Sequence, residues 1–220
     1  MKGFCTKPIL VWICIILFNF CQTKSNELVK FQVSDGVMNN MDFSPLGFQN
    51  GQKPENIELH DLKGKTFHLK PSKNRPLLLI TGSYTCDVTR GNLPAINAMY
   101  EKYKDVADIY LVNTQEAHPQ SSQSPYSAEP EPWHALDNIT AGISAEQPRT
   151  LEERKELAER WISEQGISTP VLLDGPNNEF WTQAGQAPNM SILISGEGEV
   201  VLKQDWFEEK ALEEALVGEL

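Results

Sequence analysis

The sequence predicts an α/β domain with one thiol at the junction between a central strand and a helix. Three observations predict it. Leu77 to Ile80 is an unbroken apolar run, as expected of a strand buried on both faces. A small polar turn, Thr81 to Thr85, separates that run from Cys86. Beyond Cys86, Leu93, Ile96, Met99, Tyr100 and Tyr103 recur at helical spacing. In open α/β sheets, ligands bind beyond the carboxyl ends of such strands. The unpaired N–H groups of a helix start also favour a thiolate, so the position suggests a reactive cysteine.

Composition narrows the surroundings. The chain has 220 residues, 40% of them hydrophobic, enough for one ordinary domain with additions. The formal net charge is −11, and it is two units more negative without Lys2 and Lys7 at the start. Such an acidic chain lacks the basic face that nucleic acid requires. Three of the four cysteines, Cys5, Cys14 and Cys21, lie in the first 21 residues. The remaining chain therefore offers no disulfide framework, no Cys-x-x-Cys pair and no cysteine zinc cluster. His60, His68 and His134 are too scattered to argue for a metal site, and no bound cofactor is expected.

Residues 1–21 combine a basic start with an apolar run from Ile9 to Phe20. That run suits a signal-peptide core better than a full span, which takes roughly 20 apolar residues. Cys21 directly after it is a candidate for lipidation, although Phe18, Asn19 and Phe20 are not small. A lipid anchor, an uncleaved protein anchor and a secreted form all place the domain outside the cytoplasm. Residues 22–55 are polar with weak periodicity and read as a tether or surface wrap ahead of a folded domain at 56–220.

The domain's elements follow in order. Ile57 to Leu69 alternates around Lys63, Gly64 and Lys65 and reads as a β-hairpin. After the strand at 77–81, a helix beginning near Val88 to Arg90 runs to Lys104. Ala107 to Asn113 is a second buried strand, with Glu116 and His118 in the loop leaving it. Residues 119–148 are rich in Ser, Pro, Gln and Glu, with Tyr126, Trp133 and His134 interspersed. A loop of this length is either functional or disordered. Thr150 and Glu153 form a capping-box signature for a helix over Arg149 to Gln165. Val171 to Leu173 is a short strand, and Asn178 to Gly185 is about one helical turn. Met190 to Ser195 and Val200 to Lys203 flank Gly196, Glu197 and Gly198 as an antiparallel hairpin. Trp206 to Val217 closes the chain as an amphipathic helix. Hairpin, β-α-β, long loop, α-β-β-β-α is the layout of a thioredoxin-like three-layer sandwich, with an added hairpin and a loop insertion.

Cys86 must become a thiolate to react. Hydroxyls of Ser83, Thr85 and Thr89, and Arg90 one turn on, are candidate supports. If the second strand lies beside the first, His118 emerges at the same sheet edge and can deliver a proton. Glu116 is then a candidate to orient its ring. The bland alternatives are a buried, unreactive cysteine and an ordinary loop histidine.

Several segments resemble the iodothyronine deiodinase family: Gly82-Ser83-Tyr84-Thr85-Cys86, Leu93-Pro94-Ala95, Val106-Ala107-Asp108, Gln115-Glu116-Ala117-His118 and Arg149-Thr150-Leu151-Glu152-Glu153-Arg154. Ala187-Pro188-Asn189 resembles a later segment of that family, and the likeness covers about residues 57–202. It implies a thioredoxin fold, with Cys86 in place of a selenocysteine that attacks iodine. It also implies His118 as proton donor, Glu116 as its partner, and an external thiol as reductant. The departures are Tyr84 at an auxiliary cysteine position, Pro148 at a hormone-contacting histidine position, Asn189 at an acidic position, and Gln204-Asp205-Trp206 in place of a Gly-rich segment.

The expected function is reductive dehalogenation of iodothyronines or related halogenated phenols. The alternative is a one-cysteine thiol peroxidase or disulfide reductase. The Ser83-x-x-Cys86 spacing faintly resembles a peroxiredoxin site, although Leu79 stands where that site has a proline. A non-enzymatic binding domain with an incidental Cys86 is the third reading.

Overall fold

The computed structural model describes residues 27–55, 58–68 and 75–220. The expected leader or anchor at residues 1–21, with its lipidation candidate Cys21, lies outside the described residues. No helix among the described residues is long and apolar enough to cross a membrane.

The centre is a parallel pair. Strand β3 is Leu77–Gly82 and strand β4 is Asp108–Asn113, aligned so that Leu77 faces Asp108 and Gly82 faces Asn113. All six residues of β3 are buried, which is why it reads as a continuous apolar run rather than an alternating one. Helix α1, Asp87–Tyr103, forms the crossover between them. Strand β5, Val171–Asp174, extends the parallel set beyond β4. The hairpin of β1, Glu58–Asp61, and β2, Thr66–His68, adds antiparallel to β5 at the far edge. Its turn is held by Asp61 Oδ1, which accepts from the amides of Lys63 and Lys65. On the other side, β6, Ser191–Ile194, pairs antiparallel with β3, and β7, Val200–Gln204, completes the edge. The seven strands run in the order β2-β1-β5-β4-β3-β6-β7.

Period-two alternation sends neighbouring residues of β3 into different cores. Leu78 and Ile80 meet Leu93, Ile96 and Met99 of α1 and Trp161 of α3, Leu151–Gln165. Leu212 and Leu216 of α5, Glu209–Gly218, join the same face. Leu77 and Leu79 face the opposite core with Phe43, Tyr126, Phe180 and Trp181. The helix there is the single short α4, Glu179–Ala184, and irregular chain supplies the rest of that layer. The three-layer thioredoxin-like arrangement is therefore present, with one helical face and one mixed face.

Residues 27–55 wrap the surface of the domain. Val29 N–H donates to Arg149 O and Lys30 N–H to Pro176 O, and Phe43 is buried beyond a short 3-10 turn, Asp35–Asn39. The capping signature at α3 is realised with one change. Thr150 Oγ1 accepts Glu153 N–H, while Glu153 Oε2 reaches back to Arg149 N–H rather than to the cap residue itself. Arg154 of α3 is fully buried and donates to the carbonyls of Asp174 and Gly175 and to Asn178 Oδ1, clamping α3 to the end of β5.

Gly82 ends β3 where α3 and α1 close in. A Cβ there would lie 2.7 Å from Thr89 Cγ2 and 2.9 Å from Trp161 Cη2. Gly82→Ala is therefore expected to cost about 1–3 kcal/mol by overpacking, read as a lowered urea midpoint with unchanged slope.

Candidate functional site

The site is built where the ends of β3 and β4 meet the start of α1. Cys86 is the N-cap residue of α1, and its sulfur accepts the Thr89 N–H at 3.4 Å, in the role usually taken by a serine or aspartate oxygen. The side chain is 1% exposed. Burial pushes the thiol up to about 11, outweighing the Thr89 hydrogen bond, and the Asp87 and Glu116 charges push the same way. The expectation that a helix start makes Cys86 a ready thiolate is corrected here: desolvation dominates the N–H field. At neutral pH the thiol form is strongly favoured. Alkylation of Cys86 in the substrate-free protein should therefore be slow at neutral pH and keep accelerating towards pH 11. A rate plateau near pH 8 would contradict it.

The loop after β4 is stitched to the β3–α1 turn. Ser83 Oγ accepts Ala117 N–H, and Thr85 Oγ1 accepts His118 N–H. Glu116, 1% exposed, accepts from Tyr84 N–H, Thr85 N–H at 2.7 Å and Thr85 Oγ1 at 2.7 Å. Its carboxylate is occupied by the turn, so the assignment of Glu116 as the carboxylate orienting His118 is corrected. Burial raises its pKa, against these hydrogen bonds and the charge of Arg154.

The carboxylate beside the ring is Asp87. His118 Nδ1 lies 2.9 Å from the Trp133 carbonyl, which can only accept, so Nδ1 carries the hydrogen. Nε2 lies 3.4 Å from Asp87 Oδ1, and the Trp133 ring stands edge-on at 4.7 Å. His118 can therefore take or give a proton at Nε2 without releasing its Nδ1 anchor. Asp87 stands directly after Cys86, at the first position of α1; that adjacency is the signal by which sequence reasoning could have found it.

Of the other candidate supports, Thr89 serves the sulfur directly, whereas Ser83, Thr85 and Arg90 hold the turn around it. The Thr89 backbone N–H donates to the sulfur. Arg90 reaches Asn138 Oδ1, and Asn138 Nδ2 donates to Thr85 O, so Arg90 braces the turn and does not serve the thiol. Asn138 belongs to α2, Leu136–Ala141, a short helix inside the expected loop. Tyr84 points into the opposite core, where its hydroxyl bonds Glu164 and Arg160 at 2.6 and 2.7 Å. The only free cysteine among the described residues is Cys86.

Cys86 and His118 open onto one cavity of about 580 Å³. Its walls are Met41, Tyr126, Trp133, Leu136, Pro188 and Trp206, with Asp87, His134 and Asp137 as further polar groups. The segment 119–148 is thus a cover: it contributes Tyr126 and the run Trp133 to Asp137. Pro148 lies elsewhere, in a separate groove with Val29, Phe31 and Arg149. Asn189 is buried and ties α1 to β3, accepting from Asn92 and donating to Thr81 O. No group of three potential metal ligands occurs among the described residues.

Comparison with known proteins supports the fold and part of the sequence likeness. No family model matches the chain. A type II iodothyronine deiodinase of Neoceratodus forsteri is 34% identical over 83 residues, 38% of this chain and 27% of that protein. The corresponding enzyme of Fundulus heteroclitus is 33% identical over 91 residues, 41% of this chain and 30% of that protein. The chain thus matches less than a third of the length of either relative. Among solved structures, a DsbE-type thiol:disulfide interchange protein of Chlorobium tepidum superposes with a TM-score of 0.53 at 19% identity, over 78% of this chain and 98% of that one. The thioredoxin domain of a thiol-disulfide oxidoreductase of Bacteroides vulgatus gives 0.51 at 18% identity, over 77% and 99%. A peroxiredoxin-like protein of Aquifex aeolicus gives 0.51 at 12% identity, over 79% and 89%. This chain has a thioredoxin-like fold.

Proposed function

We propose that the chain is a thiol-dependent oxidoreductase that reductively removes halogen from an aromatic substrate at Cys86. One observation carries the reading: Cys86 and His118 share an aromatic-walled cavity of small-molecule size. A peroxide needs no such volume.

The chemistry starts from a neutral thiol, in keeping with the burial of Cys86. The unprotonated Nε2 of His118 takes the thiol proton, and Asp87 stabilises the imidazolium. The sulfur attacks the iodine along the carbon–iodine axis. That bond breaks with its electron pair left on carbon, which takes the proton back from His118. The products are the dehalogenated ring and a sulfenyl iodide on Cys86. An external thiol displaces iodide to give a mixed disulfide, and a second thiol releases Cys86 and leaves as the oxidised reductant. With no other cysteine among the described residues, that reductant comes from outside the domain.

A second reading is a one-cysteine disulfide reductase or thiol peroxidase. It is motivated by the solved thiol–disulfide and peroxiredoxin-like proteins that share this fold over 77–79% of the chain. The two are separated by incubating the domain with dithiothreitol and either 3-iodo-4-hydroxytoluene or hydrogen peroxide. Iodide release that disappears in Cys86→Ser supports dehalogenation. Peroxide consumption without iodide release transfers the site to the second reading. On the basic start and apolar run of residues 1–21, we further propose an extracytoplasmic location. Labelled palmitate on the wild type but not on Cys21→Ala would assign a lipid anchor.

A further inference from the structure

The residues lining the Cys86 cavity carry charge of one sign. Asp87 and Asp137 are both in the lining, and no lysine or arginine is. The nearest candidate cation by sequence, Arg90, is turned to Asn138. Asp87 is the first residue of α1 and Asp137 the second of α2, so the starts of both helices place an acid in the cavity lining. The two histidines are anchored by carbonyls: His118 Nδ1 by Trp133 O and His134 Nε2 by Gln120 O, each at 2.9 Å. The chain as a whole is acidic, with a formal net charge of −11, which adds to the local field. The walls between these acids are aromatic, with Tyr126, Trp133 and Trp206 in the lining.

We propose that this cavity selects aromatic ligands bearing a protonated amine and excludes those bearing a carboxylate. An aromatic ring fills the space between Trp133, Tyr126 and Trp206 in either case, so the ring does not discriminate. The charge does. A carboxylate entering beside Asp87 and Asp137 meets like charge and finds no lysine or arginine in the lining. An ammonium gains Asp137 at the rim and the faces of the indoles. Asp137 is exposed and makes none of the hydrogen bonds that hold the turn, so it is free to meet a ligand group near the mouth. For substrates, the inference rests on the dehalogenase reading; for ligand binding it stands alone.

The test uses three phenols of one size: tyramine, tyrosine and 4-hydroxyphenylacetate. Binding to the full chain is measured at pH 7.5 by calorimetry, with carbamidomethylated Cys86 as the control that locates the site. Tyramine should bind about tenfold or more tightly than 4-hydroxyphenylacetate, with tyrosine between them. Asp137→Asn should shrink that ratio severalfold, and so should added salt. Equal affinities, a preference for the acid, or no binding by tyramine would overturn the proposal. The 3-iodo analogues then separate the two readings. Ordered binding without iodide release retains the charge selection and removes the dehalogenase. Iodide release without charge preference does the reverse.

Discussion

Replacing Glu116 with alanine is expected to cost the fold about 3–5 kcal/mol, more than any other single change at the site. Its carboxylate accepts two backbone N–H groups and one hydroxyl, all of them from the Tyr84–Thr85 turn. Glu116 is 1% exposed, so water cannot replace those bonds without opening the structure. The Thr85 hydroxyl also accepts His118 N–H, so its loss of orientation would loosen the histidine loop. Glu116→Gln should cost less, about 1–2 kcal/mol. A glutamine keeps one acceptor oxygen and loses a charge that burial disfavours, but it sets an N–H₂ against an N–H donor of the turn. Urea denaturation of the three proteins at pH 7 checks the order. An alanine variant within 1 kcal/mol of wild type would refute the view of Glu116 as the clasp of the turn.

The second large effect falls on turnover. On the proposed dehalogenase reading, His118→Ala should lower turnover about 10²–10⁴-fold with little change in substrate affinity, as expected when a proton relay is removed. The cavity then lacks the imidazole that this reading uses as base, and burial of Cys86 keeps its thiol protonated at neutral pH. Raising the pH should therefore restore part of the lost rate in His118→Ala, by ionising the thiol directly. Asp87→Asn should be milder, about tenfold, because it removes only the partner of the imidazolium. If His118→Ala shows no pH rescue and only weaker binding, His118 is a wall of the cavity and not its proton carrier.

Parts of this arrangement are legible in the residues alone. Leu77 to Ile80 and Ile109 to Val112 are runs whose apolar character spans both sheet faces, so two buried strands and their crossover helix follow from local pattern. Cys86 follows a polar turn and precedes a helix, but local pattern starts that helix near Val88 to Arg90, and the structure starts it at Asp87, which makes Cys86 the N-cap. His118 lies five residues beyond the end of β4, and the register of β4 on β3 brings its loop to Cys86. Thr150 and Glu153 announce α3 through side chains that reach only a few residues.

Other features depend on what comes over the site from far along the chain. Glu116 and Asp87 are each plausible partners for a histidine by spacing, yet one faces the backbone of the turn and the other faces the ring. Arg90 is one turn from the thiol in sequence, but Asn138, 48 residues away, draws its guanidinium elsewhere. The polar segment 119–148 has no period to reveal that Tyr126 and Trp133 roof a cavity.

Local pattern is enough to put one thiol near the start of a helix, beside a buried pair of strands. Those are properties of periodicity and of residues within a turn or two of each other. The tertiary structure alone decided the state of that thiol. Roofed by the 119–148 segment and packed with Phe43 and Tyr126 in one core, Cys86 is kept from water, and desolvation outweighs the field of the helix start. The same enclosure gave the thiol a histidine, an aspartate and an aromatic cavity as its surroundings.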